Sequence, residues 1–222
     1  MSVLPGAELR RLIFHTEDEA HRLIITPILD PGDQLNDRQA SVDLRLGNIF
    51  VVQRRSEIAR LNPWDPTSQD DEDELFLEEE IYVPFGRPFV LHPNQFVLAC
   101  TLEYVALPSN LTAYVVGRSS WGRVGLIVVT ASGIHPGYRG VITLELRNLA
   151  EVPLFIHPGA RICQAFFHRV EPAAQTSTTL GGAYHASTKP EFARIRLPKK
   201  DQEALTRLGA KLGASSIRPK LK

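Results

Sequence analysis

The chain has 222 residues, and its 25 lysines and arginines balance 25 aspartates and glutamates. No global field therefore argues for a nucleic-acid or membrane partner. It is long enough to bury its own core, and it has neither a window resembling a membrane span nor a basic lead into an apolar leader. Its two cysteines, Cys100 and Cys163, each lie in an apolar run and read as buried free thiols, so a soluble protein of a reducing, cytoplasmic compartment is expected.

In chain order, residues 5–14 have apolar positions at helical spacing and predict a short N-terminal helix. From residue 41 the pattern becomes β-rich, with runs at 41–46, 49–53, 89–91, 96–102, 113–116, 126–129, 141–147, 154–156 and 162–170. Turn clusters such as His92-Pro93-Asn94, Pro108-Ser109-Asn110 and His157-Pro158-Gly159 separate them. Many short strands divided by turns predict an all-β sandwich or barrel rather than βαβ units. Between strands, residues 65–80 carry nine acidic residues and no basic one, so 63–80 reads as a solvated acidic insertion. Residues 173–182 have the Ala, Gln, Thr, Ser and Gly composition of a flexible arm. A single domain over 1–190 is expected, then a basic tail over 191–222 in which 204–212 has the pattern of a short helix.

The chemistry concentrates between residues 117 and 146. In Gly117-Arg118-Ser119-Ser120-Trp121-Gly122-Arg123, glycines leave backbone amides and hydroxyls free to approach an anion, and arginine forks suit phosphate oxygens. An ordinary hairpin with solvated arginines would show the same residues. A turn follows with His135-Pro136-Gly137-Tyr138, where Tyr138 is suited to stacking under a flat ligand or to simple packing. In the strand after it, Ile142, Leu144 and Leu146 share one face, while Thr143, Glu145 and Arg147 share the other. A mid-strand glutamate is depleted by propensity. Glu145 is thus either an ion pair with Arg147 or a general base held near the arginine loop.

Together these segments resemble the dCTP deaminase branch of the trimeric dUTPase superfamily. The likeness also takes in Ser41-Val42-Asp43-Leu44-Arg45-Leu46-Gly47-Asn48, Leu91-His92-Pro93-Asn94-Gln95-Phe96, Thr101-Leu102-Glu103 and His157-Pro158-Gly159-Ala160-Arg161-Ile162-Cys163-Gln164. It covers roughly 4–190. The resemblance implies a distorted jelly-roll β-barrel, assembled as a homotrimer with sites at subunit interfaces. It implies hydrolytic deamination of dCTP to dUTP, or onward to dUMP. Glu145 would deprotonate a water for attack at C4 of cytosine, with Arg123 and Ser119 steadying that water and the Ala131 carbonyl orienting the base. Arg118, Ser119 and Ser120 would hold the triphosphate with Gln164 nearby, and a Mg2+ ion would bridge phosphate oxygens. No Pro-Cys-x-x-Cys accompanies any His-x-Glu, so the zinc route to deamination is excluded on ligand count.

Two places depart from the family pattern. His135 stands where relatives carry an aspartate that contacts the sugar and, in dUTPases, activates the hydrolytic water; just before it, Ser132-Gly133 also differs. In the arm, Tyr184 is kept for closing over the nucleotide, but Ala183 and Ser187 occupy the expected lysine and glutamine places, with Lys189 a candidate substitute. These departures keep two other readings open: a diverged, non-catalytic nucleotide-binding or regulatory trimer, and a dUTPase-like pyrophosphohydrolase.

Overall fold

The computed structural model describes residues 2–53, 78–130, 133–171 and 186–190, together with 200, 203, 204, 206 and 207 of the tail. Helix α1 (Gly6–Phe14) opens the chain and buries Leu9, Leu12 and Ile13. Strand β1 (Ile24–Thr26) follows, then the short α2 (Pro31–Gln34), whose Asp30 cap accepts from the amides of Gly32 and Asp33, each at 3.1 Å. This is the usual remedy for orphan donors at a helix start. The strands β2 (Val42–Arg45), β3 (Ile49–Gln53), β4 (Glu78–Tyr82), β5 (Phe89–Leu91), β6 (Phe96–Ala106) and β7 (Leu111–Gly117) come next. A one-turn helix, α3 (Ser119–Gly122), separates them from β8 (Leu126–Val128), β9 (Gly133–Ile134), β10 (Arg139–Asn148), β11 (Leu154–Ile156) and β12 (Arg161–Arg169).

The all-β expectation holds. One sheet runs β4-β3-β6-β10-β8, with β1 also paired to β6; a second runs β2-β12-β7-β9; β11 and β5 form a small third ladder. Every pairing is antiparallel. Val97, Ala99, Leu144 and Leu146 of the first sheet and Val42, Leu44, Val115, Ala165 and Phe167 of the second share one buried core. Because side chains alternate along a strand, each sheet also has an outward face. Glu145 is on that of the first sheet, and Asp43 and Gln164 are on that of the second. The final residues of the acidic run, Glu78 to Glu80, belong to β4; positions 63–77 lie outside the described residues.

One irregularity shapes the interior. Between Val141 and Thr143 the ladder with β6 shifts register, so that Thr101, Leu102 and Glu103 face a single residue of β10. The Thr101 hydroxyl takes over the lost pairing, accepting from the Ile142 amide at 2.9 Å and donating to the Glu103 carbonyl at 2.7 Å. This bulge turns the Glu103 carboxylate inward. There it accepts from the Arg45 amide and from Gln34 Nε2, both at 2.8 Å.

Cys100 and Cys163 are free and buried, as the sequence predicts. Burial pushes the Cys100 thiol up to about 12, and burial beside Glu103 and Asp43 raises that of Cys163 as well. Neither is poised as a thiolate. A second unit comprises 54–77 and 193–222; its described residues Lys200, Glu203, Ala204, Thr206 and Arg207 are helical. Among the described residues no helix is long and apolar enough to cross a membrane.

Candidate active site

Two chain segments meet where β7 ends. The Arg118 amide donates to the Ile162 carbonyl at 3.0 Å, which ties the loop to β12. The chain then makes α3 instead of an irregular loop, closed by Trp121 and Gly122 amides on the Arg118 carbonyl, both at 3.1 Å. Trp121 packs against the core and donates through Nε1 to the Arg161 carbonyl at 2.9 Å. Leaving α3, Gly125 has φ +92, and a Cβ there would lie 2.7 Å from the Ala150 amide nitrogen, so only glycine fits. This turn returns the chain to β8 and leaves Ser119, Ser120 and Arg123 exposed, with Arg118 half-buried.

Asp43 binds this loop to its neighbours. It is buried, yet it lies on the outward side of β2, and both carboxylate oxygens are engaged. Oδ1 accepts from Gln164 Nε2 at 3.0 Å. Oδ2 pairs with Arg118 Nη1, and Arg161 Nη1 stands 3.5 Å from the same oxygen. Arg161 Nη1 is shared between Asp43 and the exposed Asp33 carboxylate, also at 3.5 Å, and the buried charge of Asp43 is compensated by the two guanidiniums. Arg118 and Gln164, assigned to one site by sequence, are thus held together by a residue that was given no role there. Arg161 was likewise without a role.

Glu145 lies elsewhere. It faces Leu98 across the β6–β10 ladder and is half-buried. Its backbone is held at both ends: the carbonyl accepts from the Val129 amide at 2.8 Å, and the amide donates to Thr130 Oγ1 at 3.4 Å. The ion pair with Arg147 does not form, and no described cation pairs with the Glu145 carboxylate. Within one chain, Glu145 and the Asp43–Arg118–Gln164 cluster therefore occupy outward faces of different sheets.

The intervening turn gives Tyr138 a packing role. Its hydroxyl donates to the Val141 carbonyl at 2.7 Å, and its ring packs against the core. His135 is exposed at the head of the turn, and its carbonyl accepts from the Tyr138 amide at 3.2 Å. Ala131 and Tyr184 lie outside the described residues.

Comparison with known proteins decides the family. The family model described as dCTP deaminase-like matches residues 3–170. A dCTP deaminase, dUMP-forming, from Dictyoglomus thermophilum is 44% identical over 185 residues, covering 81% of this chain and 90% of that protein. A dCTP deaminase from Natronomonas pharaonis is 41% identical over 197 residues, covering 87% and 95%.

The chain belongs to the dCTP deaminase-like family.

Its fold also matches a crystal structure of 2'-deoxycytidine 5'-triphosphate deaminase from Agrobacterium tumefaciens. The TM-score is 0.55 at 24% identity, over 76% of this chain and 46% of that longer one. The dCTP deaminase-like match takes in every candidate site residue from Arg118 to Gln164 and stops before the arm. Beyond it, the dCTP deaminase-like chain folds its segment 186–190 back onto β10. The Ala186 amide donates to the Arg139 carbonyl at 2.7 Å, and the Ser187 carbonyl accepts from the Val141 amide at 2.9 Å. Lys189 Nζ reaches Glu80 Oε2 at 2.7 Å, an exposed pair on the first sheet. The one signal that pointed to Asp43 was a carboxylate in mid-strand, in the same Ser41–Leu46 run that supports the resemblance.

Proposed function

We propose that the protein is a hydrolase that deaminates dCTP, releasing ammonia and leaving dUTP. Membership of the dCTP deaminase-like family and the names of relatives above 40% identity support the substrate class. The observation that carries the chemistry is Glu145: a half-buried carboxylate on a strand pinned by the Val129 and Thr130 contacts, with no described cation to neutralise it. Glu145 takes a proton from water as the water oxygen bonds to C4 of cytosine. The C4–N bond then breaks and the amine leaves as ammonia with one water proton passed through the same carboxylate, while the other ends on N3 and the oxygen stays on C4 as the carbonyl. Arg123 and Ser119 steady the water and the charge that develops, and the Ala131 carbonyl orients the base. Arg118, Ser119, Ser120 and Gln164 grip the triphosphate, and Tyr184 closes over it.

Glu145 and the phosphate cluster lie on different outward faces, which supports a site completed by a neighbouring copy of the chain in a homotrimer. One copy supplies Arg118 and Gln164, and the next supplies Glu145. Mg2+ fits as a companion of the nucleotide. Both oxygens of Asp43 are already engaged, so the ion would enter with the nucleotide and not on that carboxylate. When bound it would neutralise phosphate charge.

The reaction stops at dUTP because His135 stands where the family resemblance expects the aspartate of the hydrolytic step, although relatives as similar as the Dictyoglomus protein are dUMP-forming. Incubation with dCTP and Mg2+ tests both claims. Ammonia and dUTP in equal amounts are expected. Absence of ammonia rules out deamination and leaves the non-catalytic and dUTPase-like readings, while pyrophosphate and dUMP would show that hydrolysis survives with His135. Glu145→Gln is expected to lower kcat by about 10²–10⁴-fold, the usual contribution of a positioned base, and to leave dCTP binding intact.

A further inference from the structure

We propose that Asp43 is a positioning residue for nucleotide capture, aiming the Arg118 guanidinium and the Gln164 amide at the triphosphate. The inference rests on the assignment of those two side chains to the phosphates and goes beyond it by naming the group that orients them.

Asp43 is fixed from both sides of its strand. Outward, its two oxygens engage Gln164 and Arg118, with Arg161 beside them. Inward, its carbonyl accepts from Gln34 Nε2 at 3.2 Å. The same nitrogen donates to Glu103, while Gln34 Oε1 is held by the amides of Leu29 at 2.9 Å and Asp30 at 3.2 Å. Those two bonds fix which way the Gln34 amide points. Glu103 in turn holds the amide of Arg45, two residues along β2. Strand β2 is therefore clamped at both positions by one buried Gln34–Glu103 pair, and the Asp43 carboxylate projects from a rigid base.

A long arginine side chain loses rotamer freedom when it grips an anion. Asp43 imposes that restriction before the nucleotide arrives. It engages only Nη1 of Arg118, and the remaining donors of the fork have no side-chain partner among the described residues. Arg161 stands beside the same carboxylate and is itself held by Asp33, through its carbonyl at 3.3 Å and its carboxylate at 3.5 Å.

The test compares dCTP affinity and steady-state kinetics for wild type, Asp43→Asn, Arg118→Ala and the double variant, with inorganic tripolyphosphate as a second ligand. Asp43→Asn is expected to weaken dCTP binding by about tenfold, equivalent to about 1.4 kcal/mol. KM should rise to match with far less change in kcat, and tripolyphosphate should be weakened in parallel. In the Arg118→Ala background the Asp43 substitution should add little, because the side chain it aims is gone. Wild-type affinity in Asp43→Asn, or losses that add in full, overturns the proposal. If Arg118→Ala itself binds dCTP normally, the phosphate assignment fails first and takes the proposal with it. Should Asp43→Asn not fold, Asp43→Glu keeps the buried charge but displaces it. That variant must also bind dCTP more weakly, and unchanged affinity overturns the idea.

Discussion

Burial raises the carboxyl of Glu103 to about 7, against the opposing pull of its hydrogen bonds from Arg45 and Gln34. An acid whose folded pKa lies above its unfolded value stabilises the fold fully below the unfolded value, here near 4.5. That contribution is lost as pH rises toward about 7. Thermal unfolding of wild type should therefore show falling stability between those limits, and Glu103→Gln should flatten that slope; an equal slope in both proteins contradicts the assignment. At this scale the sequence was partly legible. Alternation along 141–147 put Glu145 on the face away from the core, and the structure decides against its Arg147 pair. Asp43 and Glu103 were passed over because nothing local marks a carboxylate as buried: their partners lie up to 121 positions away in sequence. His135 and Tyr138 could be located in a turn, but only the contact with Val141 gives Tyr138 its packing role.

Among the elements, strands with a strong apolar pattern were readable, and 49–53, 89–91 and 154–156 match their observed bounds. Three strands were not. β1 and β9 are too short to show a period. β4 begins inside the acidic run, where three consecutive glutamates argue against a strand on propensity alone; its pairing with β3 overrides that. Helix α3 was hidden for a different reason, since Ser-Ser-Trp-Gly has poor helix propensity and is held by Trp121 and by the turn at Gly125. Gly125→Ala is expected to destabilise the fold by about 1–3 kcal/mol through backbone strain and to displace Ser119 and Arg123. Urea unfolding together with KM for dCTP reads both effects, and a variant as stable as wild type would show that the Ala150 contact relaxes freely. Trp121→Phe removes one part-buried hydrogen bond, to the Arg161 carbonyl, and should cost about 1 kcal/mol in the same assay.

At the scale of the molecule, the barrel separates the two halves of the chemistry that the sequence had placed within thirty residues of each other. The span 117–146 crosses from the second sheet to the first, so Arg118 follows a strand of one sheet while Glu145 faces outward from the other. Assembly is what reunites them in the account given above. Mixing Glu145→Gln with Arg118→Ala after dissociation and reassembly tests this most directly, with dCTP held well below KM so that the first is inactive for want of its base and the second because it captures little nucleotide. In a cyclic trimer, about a quarter of the junctions then join an intact Glu145 to an intact Arg118. The account predicts that ammonia release from dCTP returns to about that fraction of the wild-type rate, whereas each variant alone stays inactive. A mixture as inactive as its parents, with exchange of subunits verified, would contradict a site shared between copies.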